Sequence, residues 1–415
     1  MISTTIKGSV IHTCYKNEAG EEITPTSYIY VELKSESDYN TLKTIAQNIG
    51  CRIIKQNKFM PLWYTLCTSL TIDKDPVEIA NQIMETKLFT CACPAFEIKP
   101  LISYDPLVLN QWGLYNPEYE DIDVSASEAW NYATGWGITV AVIDTGIELT
   151  HEDLYDNLSP NSYDTSSSSS PSVVSDNGTS SHGTHCAGII GASRNNNKGI
   201  AGIAPDVSLM SISVDFSSPD IEAQLADGIN WACENYADIL SCSWGGYIKS
   251  PIIEQAIDNA LENGRCGMGC LIVCGAGNGW VGPPVIFPAN YNEDVFAVGN
   301  IDRNGIWNLS SANGEELFIS APGTDILSTM VDNSYGEMSG TSMACPYVSG
   351  VVALMLELNP ELSISEVHEI IARSAKKIGH LPYSTNKKYG SWNECYGYGL
   401  IDACEAVKNT PVKYY

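Results

Sequence analysis

Basic residues are scarce. The 415-residue chain carries 22 lysines and arginines against 49 aspartates and glutamates, a formal net charge of −27. A surface of that sign repels phosphate backbones and anionic lipids, so neither nucleic acid nor a membrane surface is an expected partner. It suits solubility and the binding of cations, calcium included. Long hydrophobic runs are also missing. The most apolar stretches, 140–143 and the one from Val351 onward, are broken by Asp, Gly or Glu, and no membrane span is expected. The segment Met1-Ile-Ser-Thr-Thr-Ile-Lys7 has no basic patch followed by an apolar one, so no secretory leader is read. The sequence as it stands reads as cytoplasmic, or as secreted if a leader was trimmed. Cysteine is not scarce, but the 14 residues lack the spacing of a small disulfide scaffold or a zinc ribbon. Cys266, Cys270 and Cys274 recur every four residues; 270–274 reads as a buried strand, where cysteine is a small hydrophobe. Many unpaired buried thiols fit a reducing compartment.

At 44% hydrophobic and 17% charged, the chain has the material for two domains. Residues 28–33, 51–55, 62–66 and 89–96 read as strands, and 37–48 and the segment from Asp75-Pro76 as helices with apolar residues on one face. The order β-α-β-β-α-β is the split βαβ, ferredoxin-like arrangement. A looser stretch with Pro100, Pro106 and Pro117 follows and reads as a surface linker. Beyond it, 139–143, 239–243, 270–274 and 295–298 are nearly continuous apolar runs, with amphipathic helices at 221–236 and 252–263 between them. Such runs belong to a parallel sheet covered on both faces. The expected architecture is α/β. Residues 1–100 form a small ferredoxin-like α+β domain, 101–126 a linker, and 127–415 a three-layer domain with a mainly parallel sheet. In such sheets function sits at the carboxyl ends of the strands.

Four short segments carry chemistry. Asp144 ends a buried strand, either capping its turn or serving as a carboxylate in a partly desolvated site. His182 stands at a helix entrance directly before a glycine, open to close approach by backbone; His185, three positions on, is read as structural. Ser342 enters the apolar helix 348–358. It is either an N-cap or a nucleophile beside the converging N–H groups of a helix start. Asn278 follows a buried strand in Cys274-Gly-Ala-Gly-Asn278, as a turn residue or as an amide donor to an oxyanion.

Together, in the order Asp, His, Asn, Ser, these segments resemble the subtilase family of serine peptidases. The resemblance rests on Val142-Ile-Asp-Thr-Gly146, His182-Gly-Thr-His-Cys-Ala-Gly188 and Gly340-Thr-Ser-Met-Ala-Cys-Pro346, and spans residues 111–406. It implies a serine endopeptidase acting on polypeptides through an acyl-enzyme. Ser342 would be the nucleophile, His182 the general base, Asp144 the residue that orients it, and Asn278 an oxyanion donor. Substrate would lie as an added strand along Ser243, Trp244 and Gly245, with the stretch 217–219 as the opposite edge and Gly277 a further substrate contact; Trp244 is equally readable as simple packing. The loop Asn195-Asn-Asn-Lys-Gly-Ile-Ala-Gly-Ile-Ala-Pro205 is similar to the family's calcium loop. It implies ligands from the side chains of Asp153 and Asn196 and the carbonyls of Arg194, Lys198 and Ile200, with Gln111 a further candidate. The N-terminal domain would be a propeptide that assists folding and inhibits until it is cut between Lys99 and Gln111. Departures from the family pattern are Ser181 before the histidine, Tyr347 after the serine motif, and a short loop 279–287 with Pro283-Pro284 near the specificity pocket. Cys186 and Cys345 beside the motifs imply sensitivity to mercurials. The rival readings are a non-catalytic binding protein on this fold, a permanently self-inhibited complex, and an acyl transferase.

Overall fold

A computed structural model describes residues 2–7, 10–16, 22–23, 25–68, 75–96, 105–119, 121–174 and 181–413, the first three segments as backbone strands. The expected cleavage region lies partly outside these residues, which resume at Asp105. The chain divides into two compact units, residues 1–99 and 100–415.

In the first unit, β1 (Ile2–Lys7), β2 (Val10–Lys16) and β3 (Glu22–Ile23) form a small antiparallel sheet. Then come β4 (Pro25–Glu32), α1 (Tyr39–Ile49), β5 (Cys51–Gln56), β6 (Trp63–Thr68), α2 (Pro76–Glu85) and β7 (Cys91–Phe96). The last four-stranded sheet runs β5-β6-β4-β7, all antiparallel, which is the expected split βαβ topology. Alternation decides its faces. Ile29, Val31 and Leu66 are fully buried with Leu42, Ile79 and Ile83 of the two helices, while Tyr28 and Tyr30 stay exposed. Asp75 caps α2, its carboxylate accepting from Val77 N at 2.8 Å, with proline in the first turn where no N–H is needed.

The second unit contains α3 (Ala126–Ala129), β8 (Thr139–Asp144), β9 (Tyr163–Asp164), α4 (His182–Gly191), β10 (Ser208–Ser213), α5 (Ile221–Glu234), β11 (Ile239–Cys242) and α6 (Pro251–Gly267). It continues with β12 (Leu271–Gly275), β13 (Val295–Ile301), β14 (Ile319–Pro322), the hairpin β15 (Ile326–Met330) and β16 (Ser334–Met338), α7 (Thr341–Leu358) and α8 (Ile364–Ser374). A second hairpin, β17 (Thr385–Lys387) and β18 (Gly390–Trp392), and α9 (Ala403–Asn409) complete it. Seven strands pair in the order β14-β13-β12-β11-β8-β10-β9, every pairing parallel.

The period-2 pleat sends alternate residues into two cores. Val140, Val142, Leu271, Val273, Phe296 and Val298 pack on one face with α4, α7, α8 and α9. Ala141, Ile143, Ile272, Cys274, Val295 and Ala297 pack on the other with α5 and α6. Helices on both faces make three layers and explain why the strands read as unbroken apolar runs.

One expectation needs correction. The stretch read as a surface linker is instead part of the main core from residue 105 onward: Val108, Trp112, Leu114 and Val124 are buried there, and Trp112 Nε1 donates to Thr324 O at 3.0 Å. One helix, α7, is long and apolar enough by composition to cross a membrane, but 83% of that span is buried in the fold, as the central helix of one layer.

Candidate active site

Parallel strands bring their carboxyl ends to one edge, and the chemistry gathers there. Asp144 is the last residue of β8 and has no exposed surface. Thr145 N donates to its Oδ1 at 2.7 Å. His182, first residue of α4, presents Nδ1 at 2.8 Å from Asp144 Oδ1 and 2.9 Å from Oδ2. The buried carboxylate raises the imidazole above its ordinary value; burial opposes this and the hydrogen bond adds to it. Gly183 permits the approach, because a Cβ there would stand 2.5 Å from Gly146 O and 3.1 Å from Asp144 Cβ. His182 itself keeps about a third of its side chain exposed, the Asp144 carboxylate almost none. His185 is structural, as expected: fully buried, it donates from Nε2 to Ile326 O at 2.9 Å, and burial lowers it to about 4.

Ser342 lies in the first turn of α7, and the local sequence explains how it is held. Pro346, four residues on, has no N–H, so the Ser342 carbonyl loses its helical partner. Ser243 Oγ donates to that carbonyl instead, at 2.8 Å, with Cys186 Sγ at 3.5 Å. Ser342 Oγ in turn donates to Ser243 O at 3.1 Å; among the described residues no hydrogen bond links it to His182. Asn278, three residues past β12, accepts from Thr341 N at 3.0 Å through Oδ1, which leaves Nδ2 on the side of Gly340. The position a Gly340 Cβ would take is 3.3 Å from Asn278 Nδ2 and 3.7 Å from Ser342 N. Two N–H donors thus flank a space that exists because residue 340, at φ 153°, is glycine.

Cys186 Sγ lies within 4.8 Å of the Asp144 and His182 ligand atoms. Burial pushes this thiol well above its ordinary value and Cys345 up to about 12. Both are fully buried, a setting in which a thiol is little reactive.

A cavity of about 750 Å³ opens beside His182 and runs between Phe216, Ile221 and Leu225 on one side and Ser243, Trp244, Gly245 and Gly246 on the other. Trp244 packs against the buried cluster and also lines the cavity. The segment 243–246 is not a ladder strand; its one bridge is Gly246 with Phe287. Gly277 N is held by Thr341 Oγ1 at 3.1 Å.

The calcium candidates also come together. Asp153 is fully buried, its Oδ1 accepting from Asn196 Nδ2 at 2.7 Å and its Oδ2 from Ile200 N at 2.9 Å. No lysine or arginine pairs with it among the described residues. Burial raises it above the usual carboxylate range, and Asp105 adds to the effect. A buried carboxylate with no lysine or arginine paired to it, beside the Asp105 carboxylate that itself feels the Arg194 guanidinium, is a donor set that fits a hard cation. Asn196 Oδ1 accepts from Lys198 N at 2.8 Å, Arg194 stacks over Trp130 at 4.3 Å, and Gln111 spends both amide atoms on Ala201. Asp105, which accepts from Asn195 N at 2.7 Å and Asn197 N at 3.0 Å, escaped the sequence reading because it sits in the supposed linker.

Residues 135–399 match the subtilase family model. The chain is 38% identical over 266 residues to the major intracellular serine protease of Bacillus subtilis, covering 60% of this chain and 80% of that protein. Among solved structures, a protease from Pseudoalteromonas arctica superposes with a TM-score of 0.63 at 28% identity, over 75% of this chain and all of that one. MycP1, solved with its N-terminal propeptide removed, superposes at 0.58 with 26% identity, over 71% of this chain and 96% of that one. The chain belongs to the subtilase family and is a serine endopeptidase.

Proposed function

We propose that Ser342 attacks the scissile carbonyl of a polypeptide, with His182 as general base and Asp144 fixing the imidazole tautomer and stabilising its charged form. Asn278 Nδ2 and Ser342 N hold the oxyanion in the space beside Gly340. The observation that carries this reading is the pair of short bonds from His182 Nδ1 to a fully buried Asp144, next to a helix start bearing Ser342. The Ser342 hydroxyl must turn from Ser243 O toward His182 when substrate binds; such hydrogen bonds often form only in the bound complex. Substrate lies along 243–245 in the cavity, its backbone pairing with theirs.

The same reading makes residues 1–100 an intramolecular inhibitor and folding aid, removed by self-cleavage between Lys99 and Gln111. Asp153 and Asn196, with the carbonyls of Arg194, Lys198 and Ile200, hold a structural calcium ion that neutralises the buried carboxylate. The test is to incubate the full chain and its Ser342→Ala variant with calcium and follow mass over time. The wild type is expected to release a fragment of roughly 100 residues and to label with a fluorophosphonate, as an activated serine does, while the variant does neither. Labelling without release would remove the propeptide reading. Absence of labelling would favour a non-catalytic binding protein.

A further inference from the structure

The described cysteines are free thiols, and Cys186, Cys242, Cys274 and Cys345 are sealed in the core at 1% exposure or less. Cys233 and Cys270 stand differently. Their sulfurs lie 3.8 Å apart, and Cys233 is half-buried while Cys270 has no exposed surface. One thiol of the pair reaches solvent and the other lies beneath it.

The backbone holds both in place. Cys233 is in the last turn of α5, which closes through Tyr236 N to Cys233 O at 3.2 Å and Ala237 N to Ala232 O at 2.9 Å. Cys270 directly precedes β12; its N donates to Ala260 O at 2.9 Å, and Leu271 N donates to Asp238 O at 3.0 Å. Cys270 Sγ rests 3.2 Å from Ala237 O, in a space that exists because residue 264 is glycine. A Cβ there would stand 2.3 Å from the sulfur. The two sulfurs need close only from 3.8 Å to the ~2.0 Å of a disulfide, a shift that rotation about the Cα–Cβ bond of Cys233 can supply.

Unequal burial also sets the order of events. The hydrogen bond from Cys270 lowers the Cys233 thiol, against burial and the Glu234 carboxylate; the same bond, with burial, raises Cys270. An accessible thiol that ionises more readily, in contact with a second thiol, is the arrangement an oxidant turns into a disulfide. The segment between the two carries β11, α6 and Ser243, whose hydroxyl holds the Ser342 carbonyl.

We propose that Cys233 and Cys270 form an oxidation site for hydroperoxides, and that the resulting disulfide closes residues 233–270 into a ring that stabilises the fold. The Cys233 thiolate attacks one peroxide oxygen and the O–O bond breaks. This leaves a sulfenic acid and, from hydrogen peroxide, a hydroxide that takes up the proton Cys233 gave up. The Cys270 sulfur then attacks the Cys233 sulfur, the S–O bond breaks, and that hydroxide leaves as water with the Cys270 proton. Two thiols have lost two electrons to the peroxide and two waters are released. A cross-link between residues 37 positions apart restricts the unfolded chain far more than the folded one.

The test exposes the full, reduced Ser342→Ala chain to hydrogen peroxide. Remaining thiols are alkylated in denaturant, and mass spectrometry after digestion without reductant looks for the peptide joining Cys233 to Cys270, two hydrogens lighter than its parts. It is expected in the oxidised chain, absent after dithiothreitol and in Cys233→Ser, and retained in Cys266→Ser, which removes an exposed thiol of α6. The urea midpoint of the oxidised chain is expected above that of the reduced chain, with no such difference in Cys233→Ser. Both thiols still open to alkylation, Cys233 driven to a sulfinic acid, or a cross-link from Cys233 to another cysteine would overturn the site. A Cys233–Cys270 cross-link with an unchanged or lower midpoint would overturn the stabilising role.

Discussion

His182 is pulled two ways: the carboxylate of Asp144 favours its charged form and burial disfavours it, with the carboxylate the larger influence. In its proposed role as general base His182 works only when neutral, so activity is expected to fall as pH drops through the raised value. The acid limb of kcat/KM is expected to titrate above the ordinary imidazole value of 6.5. A pH profile on a small peptide measures this, and a limb at or below that value would refute the geometry read for the pair. The sign for stability is the reverse of that for activity. The paired histidinium supports the fold at low pH, and this support fades as pH rises through the raised value.

Among the elements, α4 depends most on small residues. Ser328 Oγ donates to His185 O and Thr329 Oγ1 to Thr184 O, both at 2.7 Å, which fastens β15 to the helix bearing His182. Gly188 makes room for them; a Cβ there would meet Thr329 Oγ1 and Ser328 Oγ at 2.3 and 2.4 Å. Alanine is the better helix former by about 1 kcal/mol, but overpacking costs about 1–3 kcal/mol. Gly188→Ala in the Ser342→Ala background is expected to lower the urea midpoint of unfolding, and an unchanged or raised midpoint would show that β15 yields freely. This element also marks what the sequence made legible. The run 139–143 announced a strand buried on both faces, and the glycine after His182 announced a close approach, because both signals are local. Residues 105–126 were misread because Val108, Trp112, Leu114 and Val124 follow neither a helical nor a strand period and lie among prolines. Asp105 gave no local sign at all: its partners come from a segment distant in the chain, Asn195 and Asn197.

At the scale of the whole molecule, two fully buried histidines make the fold sensitive to acid. His185 and His368 are lowered by burial to about 4, and His368 stacks on Phe296 with ring centroids 3.7 Å apart. The unfolded chain protonates these side chains near pH 6.5 while the folded one resists until about pH 4, so the unfolded state binds more protons in that window and stability falls as pH falls. The loss is on the order of 3 kcal/mol for each histidine by the bottom of the window. Urea unfolding of the Ser342→Ala chain at about pH 7, 5.5 and 4.5 is expected to show a steep decline that His368→Phe flattens. An identical slope in the variant would place the acid sensitivity elsewhere.

The all-parallel sheet has a consequence in time as well as in space. Each parallel neighbour is reached through a long crossover, so β8 finds its partners β10 and β11 only after a large part of the unit has followed it. Asp144 leaves the ribosome early, His182 next, and Ser342 only when most of the chain is already out. On the proposed assignment, a nascent chain therefore carries two of the three reacting side chains for much of its synthesis and no nucleophile. If Ser342 is the nucleophile, proteolysis waits on the last long helix to arrive.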